Sequence, residues 1–149
     1  MRFSSVIAAF AIIVIFFAGS VSAQRGSHAK EVQRETLTLS PAEAAEMLSG
    51  MRTYLETIQD LVSALAENQV GRVPEIAAKS GAKLLGNVNP FIGLKTPIGF
   101  TMMSLDTHEK FDQLAEKARR GVSRTEVLAD LRNILDNCTA CHAAYRLAR

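Results

Sequence analysis

The chain has 149 residues, of which 48% are hydrophobic and 21% charged, and its 17 basic and 15 acidic residues leave a net charge of +2. That length suits one ordinary domain. The near balance of charge gives no footprint for nucleic acid or for an anionic membrane surface.

The first segment reads as an address. Arg2 is a positive start, Val6 to Ala18 is an almost unbroken apolar run, and Val21-Ser22-Ala23 is a small-x-small site. This is the pattern of a secretory signal peptide over residues 1–23, with cleavage after Ala23. The other reading is an uncleaved N-terminal anchor, although the apolar run is short for a membrane span. Removal of Arg2 brings the charge closer still to neutral. No later segment is long and apolar enough to cross a bilayer, so no membrane insertion of the mature chain is expected. Its place is outside the cytoplasm, in a bacterium the periplasm. Residues 24–39 are polar and aperiodic and read as a flexible leader.

Residues 40–149 read as helices throughout. Ser40-Pro41-Ala42-Glu43 is a capping box with proline in the first turn. Met47, Met51, Tyr54, Ile58, Leu61 and Leu65 then recur at steps of four and three, one face of a helix running to about Glu67. A second helix is expected over Arg72 to Leu85, closed by Gly86-Asn87-Val88-Asn89-Pro90. The connection from Gly86 to Lys95 is the least defined. Thr96-Pro97 looks like the third start, followed by an inward face of Phe100, Met103, Thr107, Phe111, Leu114 and Ala118. Gly121 after Arg119-Arg120 is a stop signal. Ser123-Arg124-Thr125-Glu126 is a second capping box, and Val127, Leu131, Ile134, Cys138, Cys141 and Tyr145 share the face of a fourth helix running to the end. No stretch alternates like a strand. The expectation is an all-α domain, an antiparallel four-helix bundle. Its alanine-rich faces would leave room for a flat cofactor, or would simply be a small-residue helix interface.

The only two cysteines stand in Cys138-Thr139-Ala140-Cys141-His142. Cys-x-x-Cys-His is the attachment sequence for c-type haem. Two thiols one helical turn apart can bond the two vinyl groups of one porphyrin, and the histidine that follows can bind the iron. A disulfide between such close neighbours would staple little chain. A redox-active pair belongs at the start of a helix in a strand-helix setting, whereas this one sits near a helix end. Zinc would need further ligands.

A four-helix chain with this motif near its C-terminus, followed by an aromatic and an arginine at Tyr145-Arg146, resembles the class II cytochromes c, the cytochrome c′ and cytochrome c556 type. The likeness covers about Ser40 to Arg149 and is strongest over Cys138 to Arg146. It implies one covalent haem c, with Cys138 and Cys141 as thioether anchors and His142 as the proximal iron ligand. It implies that Arg146 lies near the haem edge, where it could pair with a propionate, although a solvated basic residue at a helix end is an equal reading. It also implies redox partner proteins, binding of diatomic gases in some members, and homodimers in many.

The distal ligand separates two functions. In the class II cytochromes that the chain resembles, a methionine from the first helix gives six-coordinate iron suited to electron transfer, and an apolar residue there leaves iron open to nitric oxide or carbon monoxide. The resemblance implies Met51, which, counted back from the helix end, falls where the low-spin members keep their ligand; counting from Arg52 instead favours Met47. Both could equally be core filler. Met102, Met103 and His108 lie on the third helix. Met103 is expected to pack near the haem, and His108 falls off the inward face and reads more often as a surface residue; a bis-histidine site is possible but has no spacing support. Tyr54, Phe100 and Phe111 could line the pocket, and His28 in the leader carries no assignment. No acid-base or nucleophile constellation is evident, so the expectation is an electron carrier rather than an enzyme. A haem-free secreted bundle with a local disulfide is the remaining alternative.

Overall fold

The computed structural model describes residues 33–148, and the expected signal peptide and His28 lie outside them. The described chain is mostly helical. Helix α1 spans Pro41–Ala66, α2 Val73–Ala77, α3 Phe91–Lys95, α4 Ile98–Arg119 and α5 Arg124–Ala144. Two short strands, β1 (Glu35–Leu37) and β2 (Tyr145–Leu147), complete the described elements.

Both capping boxes form. Ser40 Oγ accepts the Glu43 N–H, and the Glu43 carboxylate accepts the Ser40 N–H at 2.9 Å. Ser123 and Glu126 make the same reciprocal pair at the start of α5. Each satisfies backbone donors that a helix start leaves unpaired. Gly121 ends the α4 turn with φ of +89°, a left-handed conformation that a side chain would strain.

The second helix is shorter than its pattern suggests. It stops at Ala77, and 3-10 turns carry the chain over Ala78–Ser80 and Ala82–Asn87. Tertiary partners take the backbone groups that would have continued it. The Ser80 carbonyl accepts from His108 Nδ1 at 2.8 Å, and the Ala82 N–H donates to Asp112 Oδ2 at 2.9 Å. Gly81 fits this approach because it has no side chain: a Cβ there would stand 1.9 Å from Asp112 Oδ1. Helix α4 starts at Ile98, but Thr96 does not cap it, because its hydroxyl bonds the Gly93 carbonyl and Thr101 Oγ1 instead.

The end of the expected leader is also ordered. β1 pairs in parallel with β2, Glu35 beside Tyr145 and Leu37 beside Leu147, and Leu37 is 3% exposed. The last helix accordingly stops at Ala144 rather than running through Tyr145. Three-residue strands are too short to show alternation in a sequence. Tyr145 is fixed by an edge-on contact with Phe100, ring centres 5.5 Å apart.

The core gathers Leu61, Ala64 and Leu65 of α1, Val73, Ile76 and Ala77 of α2, Phe111, Leu114 and Ala115 of α4, and Val127, Leu131 and Ile134 of α5. Full burial of each larger side chain contributes roughly 1.5–3 kcal/mol. Close backbone approaches join α1 to α2, α2 to α4 and α4 to α5, and no comparable approach joins α1 to α5. The core thus sits at the C-terminal half of α1. The N-terminal half of that helix carries Met47, Met51 and Tyr54 only half-buried, against cavities rather than against packed helix. Among the described residues, no helix is long and apolar enough to cross a membrane.

Candidate functional site

Helix α5 buries Val127, Leu131 and Ile134, and the same face continues into Cys138 and Cys141, both half-buried free thiols. Cys138 Sγ lies 3.6 Å from the Ile134 carbonyl oxygen, the weak back-bond of a helical thiol. Burial pushes both thiols up from their ordinary pKa, and the neighbouring Cys138 adds to the effect on Cys141. The pair stands at the C-terminal end of its helix, where the backbone dipole offers a thiolate no help. His142 and Arg146 are exposed at its rim.

A cavity of about 240 Å³ opens beside the motif. Cys141, His142 and Arg146 line it together with Met47 and Met51 of α1 and Phe100 of α4. Leu37 of β1 and Arg34, just before that strand, line it as well. Cys138 does not line this cavity. Its thiol nevertheless lies near Tyr54, whose phenol is held well above the ordinary range by burial, with a Ser104 hydrogen bond opposing and the two thiols adding.

A second chamber, also about 240 Å³, adjoins the first. Met47, Met51 and Phe100 line both. Tyr54, Ser104 and His108 are among the polar residues that line the second chamber. His108 is 4% exposed, against the surface position its spacing suggested. Its Nδ1–H donates to the Ser80 carbonyl at 2.8 Å, so Nε2 is the acceptor for the Tyr54 hydroxyl at 2.6 Å. Ser80 Oγ in turn donates to Thr57 Oγ1 at 2.8 Å. The Tyr54 ring stacks on Phe111 at 5.8 Å.

The structure therefore brings Met51, Met47, Cys141, His142 and Arg146 to one cavity, and leaves Cys138 just behind it. Met103 is half-buried but lines neither chamber, and Met102 is exposed. Arg34 is not legible in the sequence, and His108 enters there only as a possible ligand without spacing support. His108 belongs to the series Phe100, Ser104, His108, Phe111, Ala115, which steps like a helix face beside the one chosen. Arg34 has no such signal, because only the pairing of β1 with β2 carries it to the cavity. Comparison of the chain with family models, curated proteins and solved structures finds no match.

Proposed function

We propose that this chain is an exported, periplasmic c-type cytochrome with one covalent haem, an antiparallel four-helix bundle of the class II kind, and that it carries electrons. The observation that supports the reading is the shared cavity: His142, Cys141, Met51 and Met47 all line it.

The donor set fits a haem. Among the described residues, no three His, Cys, Asp or Glu side chains converge on one point. A porphyrin supplies four of its iron's ligands, so an axial histidine and one methionine suffice. Cys138 and Cys141 would hold the group by thioether bonds, and His142 and Met51 would supply its protein iron ligands. When bound, haem supplies a one-electron iron couple. The chain's own part is to fix these donors and keep water out. His142 must stay neutral to offer a ring lone pair. The thioether of Met51 is soft and uncharged, so it adds a donor without adding charge. Phe100, Leu37 and the two methionines make most of the wall apolar. Arg146 and Arg34 border the same cavity, and two guanidiniums suit the two carboxylates of a haem.

The test is production of the mature chain in a host with haem-maturation machinery. The expected product keeps its colour and peroxidase stain on a denaturing gel, and oxidised it shows a near-infrared methionine-to-iron band. A colourless product rejects the proposal.

One observation favours a second reading, a five-coordinate protein that binds nitric oxide or carbon monoxide. The chamber beyond Met51 is walled largely by apolar side chains, among them Leu84, Leu85, Val88 and Ile92. That is room for a diatomic gas if no methionine takes the distal position. A high-spin oxidised spectrum with ready carbon monoxide uptake would select it.

A further inference from the structure

We infer that His108 is a second distal donor of this site: with Met51 out of the way, its Nε2 exchanges the Tyr54 hydroxyl for the iron. The inference rests on the haem reading above.

A buried histidine in a helical core ordinarily has both ring nitrogens tied into the protein. Here the two are tied very differently. Nδ1–H is committed to a backbone carbonyl, that of Ser80, in a break between two 3-10 turns. That bond orients the ring and leaves Nε2 as its acceptor nitrogen, the arrangement by which proteins present a histidine to a metal. Nε2 holds only a phenol, in the chamber that shares Met47, Met51 and Phe100 with the cavity of His142.

The exchange is small. Tyr54 follows Met51 by one turn of α1, and the phenol, the thioether and the imidazole all line one chamber. Methionine is unbranched and flexible, and Met51 belongs to the lining that the two chambers share. The O–H···Nε2 hydrogen bond breaks and an Nε2–iron bond forms. No proton leaves the ring and no electron moves. The released hydroxyl has Ser104 beside it as a partner.

The experiment compares the haem-loaded wild type, Met51→Ala, His108→Gln and the double variant by electron paramagnetic resonance, near-infrared absorption and carbon monoxide binding. Glutamine can keep both hydrogen bonds, to Ser80 and from Tyr54, while its amide is a poor iron donor. Circular dichroism of each variant reports folding, and Met51→Ala/Tyr54→Phe frees Nε2 without touching the imidazole. Met51→Ala should lose the methionine band yet stay low-spin, and Tyr54→Phe should preserve that state. The double variant with His108→Gln should become high-spin and bind carbon monoxide at once. A wild type that is low-spin without a methionine band, and turns high-spin in His108→Gln alone, would also support His108 and would remove Met51 from the iron. A high-spin Met51→Ala protein that matches the double variant overturns the inference and leaves the haem reading standing. A wild type without covalent haem overturns both.

Discussion

Tyr54 and His108 hold one another across two helices, the α1 hydroxyl 2.6 Å from the α4 imidazole, while the other ring nitrogen is bound to the break after α2. One residue thus ties together three segments on the cavity side, where the apolar core is thin. His108→Ala leaves a buried carbonyl and a buried hydroxyl without their partner and opens space. The expected loss of stability is roughly 2–4 kcal/mol, read by urea unfolding. His108→Gln should lose clearly less. Equal losses would mean that the hydrogen bonds contribute little.

Glu43 is held by Lys95 first and by the Ser40 N–H and hydroxyl next, and its pKa falls from 4.5 to about 2. The folded state binds the charged carboxylate more tightly than the unfolded chain does. Its contribution is therefore complete above the unfolded value and is lost as pH falls from about 4.5 towards 2. Glu43→Gln should flatten the dependence of the thermal midpoint on pH in that window and change it little in shape at neutral pH. An unchanged acid limb would show that Glu43 is not responsible for it. Asp106, bonded by Lys110 and Asn137, and Glu126, bonded by Ser123, shift in the same direction and set the residual slope.

Cys138→Ala and Cys141→Ala should each leave a single thioether, with a haem yield well below that of the parent. The double variant should leave none. Pyridine haemochrome spectra count the bonds, because each vinyl group left unsaturated shifts the band to the red. Full retention of covalent haem in either single variant at parental yield would contradict the two-anchor reading.

Met51→Ala should abolish the near-infrared methionine band, and Met47→Ala should leave it in place. Both side chains line the same two chambers, so loss of the band in Met47→Ala alone would move the assignment one turn along α1.

Arg34 and Arg146 border the cavity beside the Cys138–His142 motif, from β1's approach and from β2, and on the proposed reading both stand near the iron. Positive charge near an iron disfavours its oxidised form. Arg34→Gln and Arg146→Gln should each lower the midpoint potential, more so at low ionic strength, by Coulomb's law and screening. A potentiometric titration checks this. No change in Arg34→Gln would mean that its guanidinium points to solvent.

Local chemistry settled much of this protein before any contact was known. Ser40 with Glu43 and Ser123 with Glu126 cap their own helices, because a capping box closes within four residues. The faces ending in Leu61, Leu65, Phe111, Leu114, Leu131 and Ile134 are buried as their spacing requires, since a helix period maps directly onto one side of the rod. The spacing of Cys138, Cys141 and His142 is visible in the sequence for the same reason, because it lies along one turn, and the haem chemistry assigned to it is the proposal. Tertiary structure decided what depends on groups far apart in the chain. Asp112 and His108 draw the backbone at Ser80 and Ala82 out of a helix that its own residues would have continued. The pairing of Glu35–Leu37 with Tyr145–Leu147 turns a polar leader into a wall of the cavity and ends the last helix early. His108 is buried because the chain at Ser80 offers it a carbonyl and Tyr54 offers it a hydroxyl. Hydrogen-bond partners supplied from another segment leave no periodicity to read, so only the folded chain reveals them.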